Sequence, residues 1–248
     1  MALGWWRGWV GGRLAIPAGL ALVAALGTTV VPRWPGAGEI PEAFVHYQKN
    51  VLYLTENTKP LARDIQQSGA DLVTLQEVGE PLLSLRDQIA PELPHWHRCA
   101  LDPRGGVVIA SRYPLQAAEC VQGTATAVVN TPLGPIRVVS IHLSWPWPWN
   151  QQVQGLDAAR RLAELQGPPL LIGGDFNAVP WTYLMRETQR VTGTQRAGAV
   201  RDTLPLLGGL VDLAIDHVLL PVGWTGETSL RPLLGSDHLG VLVTVRDL

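Results

Sequence analysis

The chain has 248 residues, of which 46% are hydrophobic and 16% charged, with a formal net charge of -2. That length and apolar content suffice for one sizeable core and one catalytic-scale domain. The near-balanced charge argues against a protein that grips nucleic acid through a broad basic surface, and the basic pair Arg160 and Arg161 reads as a solvated helix face.

The first feature along the chain is an uncharged, mostly apolar run from Leu14 to Val31, behind Arg7 and Arg13. It is short for a bilayer span, and Ala25 and Gly27 supply the small-residue spacing of a signal-peptidase site, so a retained anchor and a cleaved signal both remain open. The glycines and the following "VPRWPGAG" look like a linker rather than a packed turn, which argues against a buried core helix. Residues 1–40 are therefore expected to target or anchor a catalytic domain spanning residues 44–248. That domain would be membrane-associated or secreted, extracytoplasmic in either case, and periplasmic in a Gram-negative cell.

From there strand and helix signals alternate. "HYQKNVLYLTEN" is rich in strand formers; "KPLARDIQQSG" is a helix opened by Pro60 and closed by Gly69. "ADLVTLQEV" gives a second strand and "PLLSLRDQIA" a second helix. Strands follow at His95 to Leu101, Gly106 to Ser111, about Ala117 to Val129, and in "GPIRVVSIHLSW". "LDAARRLAELQG" reads as a helix, "PPLLIGGDFN" as a buried strand, "TYLMRETQRV" as a helix, and "LAIDHVLL" and "LGVLVTV" as late strands. Mixed elements with hairpin-like neighbours favour an α/β (α+β) four-layer sandwich, two mixed β-sheets flanked by helices, over a purely parallel sheet.

Cys99 and Cys120 flank the strand "GGVVIASR". An oxidising compartment would permit a disulfide. A simple meander, however, would set the two thiols on either side of a middle strand, about 10 Å apart, so a bridge requires the third strand to bend back towards the first, and buried free thiols are the alternative.

Polar residues gather at the predicted strand ends. Asp175 and Asn177, just past the aliphatic run of "LLIGGDFNAVP", fit either an Asx-type turn or a ligand crevice. Asn50, Glu77, His142, Asp216, Asp237 and His238 each sit in or just beyond a strand, so converging strand ends would bring all eight together.

The fragments "QKNVLYLTEN", "TLQEV", "SIHLSWP", "GGDFNAVPW", "AIDHVL" and "GSDH", in this order, resemble the endonuclease/exonuclease/phosphatase superfamily and its deoxyribonuclease-I-like fold, in a bacterial exported or membrane-associated branch. The resemblance covers about Phe44 to Leu248. It implies a phosphoesterase that hydrolyses a phosphodiester or phosphomonoester by in-line attack of water. A phosphate ester repels nucleophiles, so such an enzyme needs a hard cation and donors on the non-bridging oxygens. Glu77, Asn50 and Asp237 are the implied oxygen ligands of Mg2+, with Mn2+ as the alternative ion. Asp175 is similar in position to the family's water-positioning aspartate, and Asn177 would donate its amide to the phosphate. Asp216 would fix the tautomer of His238, which then moves a proton or stabilises the phosphorane as imidazolium. His142 resembles the histidine that bonds a phosphate oxygen or protonates the leaving group.

Two departures narrow the substrate. Only 38 residues, 178 to 215, separate Asn177 from Asp216, which leaves little room for long base-recognition loops. No tyrosine takes the phosphate-contacting position of the abasic-site branch; Tyr113 in "SRYP" looks structural. The substrate itself, a lipid headgroup ester or a nucleic acid, is left open, as are a secreted low-specificity endonuclease and an inactive binding module. A monomer is expected. Finally, "SWPWPWNQ" carries Trp145, Trp147 and Trp149 on a proline-stiffened segment. The rings either cap the core or form a rim arm suited to a membrane interface.

Overall fold

The first strand carries polar residues at every second position, a pattern that ordinarily marks a solvent face, yet the fold turns that face inward. The computed structural model describes residues 43–101 and 105–247. The expected targeting segment, residues 1–40, lies outside the described residues. Among the described residues no helix is long and apolar enough to cross a membrane.

The elements are β1 (Ala43–Asn50), α1 (Lys59–Ser68), β2 (Leu72–Gln76), a 3-10 turn at Glu80–Leu82, α2 (Leu85–Ile89), β3 (His95–Ala100), β4 (Gly106–Ser111), β5 (Gln116–Val121), β6 (Thr124–Thr131), β7 (Gly134–His142), α3 (Gln151–Glu164), β8 (Leu170–Asp175), α4 (Tyr183–Thr192), β9 (Thr194–Arg196), β10 (Leu204–Leu206), β11 (Val211–Leu213), β12 (Asp216–Pro221), β13 (Trp224–Arg231) and β14 (Gly240–Asp247). They form two mixed six-stranded sheets, ordered β13-β14-β1-β2-β4-β3 and β5-β6-β7-β8-β12-β9, and a small β10-β11 hairpin.

Three apolar clusters give the four layers. Leu72, Val107 and Ile109 of the first sheet meet Ala127, Val138 and Leu171 of the second between the sheets. Tyr47, Val73, Leu75 and Val108, on the other face of the first sheet, pack against Leu61 and Ile65 of α1 and Leu85 and Ile89 of α2. Val139, Ile141, Ile172 and Leu219 pack against Leu162 of α3 and Leu184 and Met185 of α4. Each strand with apolar residues on both faces is thus buried on both. The helix ends follow local chemistry: Gly69 and Gly193 close α1 and α4 at φ 69° and 63°, and Thr182 Oγ1 accepts from Met185 N at 3.3 Å.

Several expectations need correction. The stretch Ala117 to Val129 is a hairpin, not one strand: β5 and β6 turn at Gln122 and Gly123, both at positive φ. Helix α3 starts at Gln151 rather than Leu156, and the first strand ends at Asn50. Short β9, the β10-β11 hairpin and β13 are strands beyond those expected from the sequence; β13 is largely exposed. The meander is also wrong. After β4 the chain crosses to the second sheet, so Cys99 on edge strand β3 and Cys120 on edge strand β5 face each other across the sandwich, with Cα atoms 5.7 Å apart, and form a disulfide. Tyr113 packs against the inter-sheet core, as a structural residue should, and Arg160 and Arg161 are exposed.

Candidate active site at the strand ends

Register alone assembles half of the cluster. β7 and β8 run parallel with His142 opposite Asp175, and β12 runs antiparallel to β8 with Asp216 opposite Asp175. Three polar residues therefore stand side by side at one end of the second sheet. In the first sheet β1 and β2 run parallel and end together, Asn50 opposite Gln76, with Glu77 following. His238 comes from the loop between β13 and β14.

Inward-facing polar side chains tie the two sheets together beneath this cluster. His46, Gln48 and Asn50 alternate along β1, and Thr74 and Gln76 along β2, all buried. Thr74 Oγ1 donates to Gln48 Oε1 at 3.0 Å and lies 2.9 Å from His46 Nε2. Gln76 Nε2 donates to Gln48 Oε1 at 3.1 Å and to Ser140 Oγ of the second sheet at 3.0 Å. Gln48 Nε2 in turn donates to Gln76 Oε1 at 2.8 Å and to Asp216 Oδ1 at 3.2 Å. Burial of polar groups is costly without such partners, and in this seam His46 Nδ1 alone lacks one among the described residues. Gly173 of β8 makes the close approach possible, since a Cβ there would meet Thr74 Oγ1 at 2.3 Å and His46 Cε1 at 2.6 Å.

At the mouth of this seam the candidate residues meet. His238 Nδ1 lies 2.7 Å from Asp216 Oδ2, while its Nε2 lies 3.8 Å from Asp175 Oδ2 and 4.0 Å from Asp237 Oδ1. Asp216 N donates to Thr203 Oγ1 at 3.1 Å. Burial opposes the charged imidazole of His238, but the carboxylates of Asp216, Asp175 and Asp237 overcome it and lift its pKa to about 9. Asp216, also penalised by burial, is nevertheless held below its ordinary value by His238. Asp175 moves the other way: burial first, then the Asp216 charge, pushes it up to about 7. Adjacent groups driven apart in this way are a common signature of acid-base sites.

Glu77 Oε1 and Asp175 Oδ2 both accept from Asn50 Nδ2, at 3.1 and 3.0 Å, and both face His142 Nε2, at 3.6 and 3.7 Å. Glu77 is held at φ 59° and Asn177 at φ 48°. Non-glycine residues keep such backbone only where their surroundings impose it, and these outliers concentrate at functional sites. Glu77 Oε2 accepts from Tyr53 N at 3.3 Å, which fixes the carboxylate on its strained backbone. Two carboxylate oxygens converging beside a neutral amide fit a hard divalent cation. Asp175, Asp216 and His238 also place three donor atoms within 4.8 Å, but two of them are spent on each other and the group is sealed, so the Glu77 side suits an ion better.

Two expected roles read differently in the structure. Asn50 Oδ1 accepts from Leu52 N at 3.0 Å and turns its nitrogen to the carboxylates, so ligation by its oxygen requires the amide to rotate. Asn177 donates its side-chain amide to Leu143 O at 2.7 Å and its backbone N–H to Asp175 Oδ1 at 2.8 Å. It braces Asp175 rather than pointing an amide at a substrate, so "DFN" is at once an Asx turn and part of the cluster. Asp237 stands at the exposed rim on the His238 side.

The seam residues were missed in the sequence, and so was Lys49. Buried on β1, Lys49 donates to Pro232 O at 3.0 Å and to His238 O, fixing the backbone of the loop that delivers His238. Burial lowers its pKa to about 8 against the pull of Asp216, Asp64 and Asp237. Ser236 completes the attachment, donating to Asn50 O at 2.8 Å and accepting from His238 N at 3.0 Å.

Comparison with known proteins places this arrangement. The profile of the Endonuclease/Exonuclease/phosphatase family matches residues 48–238. Among solved structures, an endonuclease/exonuclease/phosphatase from Beutenbergia cavernae DSM 12333 superposes with a TM-score of 0.67 at 18% identity, covering 83% of this chain and 72% of its own. Truncated TDP2 from Caenorhabditis elegans gives 0.63 at 15% identity over 82% of this chain and 97% of its own. Sphingomyelinase C from Streptomyces griseocarneus gives 0.59 at 15% over 82% and 99%. At these identities the likeness is one of fold. No curated protein matches the sequence.

Proposed function

The chain belongs to the endonuclease/exonuclease/phosphatase family, and from that premise we propose that it is a divalent-metal-dependent phosphoesterase, hydrolysing a phosphodiester or phosphomonoester by in-line attack of water. The observation that carries this reading is the bond between His238 Nδ1 and Asp216 Oδ2, set beside the convergence of Glu77 and Asp175 on one gap.

In this reading Glu77, with Asn50 once its amide is rotated and Asp237 from the rim, would hold a divalent ion, magnesium or manganese. Bound there, such an ion would supply positive charge to the non-bridging oxygens of the ester. The chain's own groups do the rest. Asp175, its Oδ1 braced by Asn177 N, orients the attacking water through Oδ2 and takes its proton. Asp216 accepts from His238 Nδ1–H, and because the pKa of His238 is lifted to about 9 the ring is an imidazolium whose Nε2–H also donates, to the phosphoryl oxygens, as charge accumulates there. His142, on the open side, donates to a phosphate oxygen or to the departing alkoxide.

Turnover of bis(p-nitrophenyl) phosphate tests the reading. Release of p-nitrophenol that stops with EDTA and returns with excess magnesium or manganese supports it. No release under any metal condition, from protein that remains folded, contradicts it. No broad basic surface supports a nuclease, and the short 178–215 segment offers little for base recognition. An export signal or anchor at residues 14–31, with an extracytoplasmic and monomeric domain, remains part of this proposal on the sequence grounds given above.

A further inference from the structure

Beside the catalytic cluster lies an open groove of about 380 Å³. One wall is the segment between β7 and α3 (Trp145, Pro146), another the segment between β8 and α4 (Val179, Thr182), and Leu213 and Ile215 close it from the side of β12. Asn177, which braces Asp175, belongs to its lining. The groove thus neighbours the catalytic cluster through Asn177, two residues beyond Asp175. It is within the size range of small-ligand sites, and among the described residues no lysine, arginine, aspartate or glutamate lines it.

The walls of the groove carry large apolar side chains into solvent. Trp147 and Trp149 sit on the first wall segment, the former 85% exposed, and Trp181 on the second at 68%. The β10-β11 hairpin, whose Leu213 lines the groove, ends in Leu207 and Leu210, the latter 84% exposed. Thus the expectation that the "WPWPW" rings cap the core is wrong for this segment. Exposed apolar groups grouped around one opening mark a binding surface rather than scattered surface hydrophobes.

Resting on the phosphoesterase reading above, we infer that the substrate is a phosphate ester of a lipid: its apolar chain enters this groove while Trp147, Trp149, Trp181 and the Leu207–Leu210 tip seat in the interface of a phospholipid bilayer. Tryptophan, with an apolar body and one N–H donor, favours that interface. The absence of charge in the groove fits an acyl or alkyl chain. It does not fit single-stranded nucleic acid, whose stacked bases require basic residues tracking the backbone alongside the rings. The apolar run at residues 14–31 lies in the same chain.

Three esters sharing one leaving group test the inference on the full chain: methyl p-nitrophenyl phosphate in solution, hexadecyl p-nitrophenyl phosphate in dioleoylphosphatidylcholine vesicles, and thymidine p-nitrophenyl phosphate in solution. The expected result is a kcat/KM for the vesicle-borne ester above the methyl ester by about tenfold or more, the gain that burial of a few methylenes supplies. The double variant Trp147→Ser/Trp181→Ser should lower that ratio at least severalfold. Equal rates on the methyl and hexadecyl esters overturn the inference, as does an unchanged ratio in the double variant. Preference for the thymidine ester overturns it in favour of a base-stacking groove. Turnover of none of the three would instead overturn the phosphoesterase reading on which it rests.

Discussion

Asp175, Asp216 and His238 keep 1%, 0% and 7% of their side chains exposed, whereas Glu77, His142 and Asp237 keep 13%, 16% and 59%. The first group is fixed by hydrogen bonds from both sheets: Gln48 and His238 hold Asp216, Asn50 and Asn177 hold Asp175, and Lys49 and Ser236 hold the His238 backbone. In the open group, Asn50 and Tyr53 N fix Glu77. The difference teaches a division of labour. Charges sealed from water interact strongly and must be set in place by folding, while groups at the mouth stay accessible to an ion and an ester.

The strongest way to break this picture lies in the buried half. His238→Ala should reduce kcat by on the order of 10²- to 10⁴-fold, the range for a proton-transferring group, and Asp216→Asn should cause a smaller loss. Because the two share one bond, their effects should not add in the double variant. Additive losses in steady-state kinetics would show that they do not work as a unit.

A smaller effect probes the seam below. Gln48→Leu removes the donor to Asp216 Oδ1 and leaves Thr74 and Gln76 short of a partner, so kcat should fall about 10- to 100-fold with KM little changed. Gln48→Glu places a second carboxylate against Asp216 and should be worse. A change in KM alone would move Gln48 from positioning the buried pair to binding substrate.

The disulfide sharpens the comparison by its distance along the sheets from the seam. Cys99 and Cys120 join two edge strands 21 residues apart in sequence, and closing such a loop stabilises a fold by about 3 kcal/mol. Cys99→Ser/Cys120→Ser should lower the urea midpoint accordingly while kcat at 25 °C stays within about twofold. A matching fall in kcat would mean that the seam alone does not hold the buried half.

The smallest effect is one of pH. Burial drives the pKa of His46 down to about 3, and its Nδ1 has no hydrogen-bond partner among the described residues. The folded protein thus keeps His46 neutral where the unfolded chain, with a value near 6.5, binds a proton. Its contribution to stability is full above about pH 6.5 and declines as pH falls from there towards 3. Between pH 7 and pH 5 the urea midpoint of the parent should fall further than that of His46→Gln; equal falls would remove His46 from the account.

Much of this was legible in the sequence, for identifiable reasons. Aliphatic runs such as "DLVTL" and "LLIGG" announce their strands, and Glu77 and Asp175 are conspicuous as carboxylates within two residues of the ends of those runs. The seam was hidden because His46, Gln48, Thr74 and Gln76 follow the alternation of a half-exposed strand, and only the facing sheet shows that the polar side points inward. Lys49 was hidden for the converse reason: a lysine next to a strand end is ordinarily solvated, and its two carbonyl partners come from residues far along the chain. The disulfide was misjudged because β5 had been placed in the wrong sheet. Short β9 and the β10-β11 hairpin have too few residues for a periodic signal.

The central claim is that the open half holds a catalytic divalent ion beside a preset buried half. Magnesium titration of the parent and of Glu77→Gln, followed by calorimetry and, at each concentration, by turnover of bis(p-nitrophenyl) phosphate, tests it most directly. The account predicts that binding and activity rise together in the parent and that both shift to weaker magnesium by about tenfold or more in Glu77→Gln, whose fold is intact. Activity that is independent of magnesium, or curves that coincide for parent and variant, would contradict it.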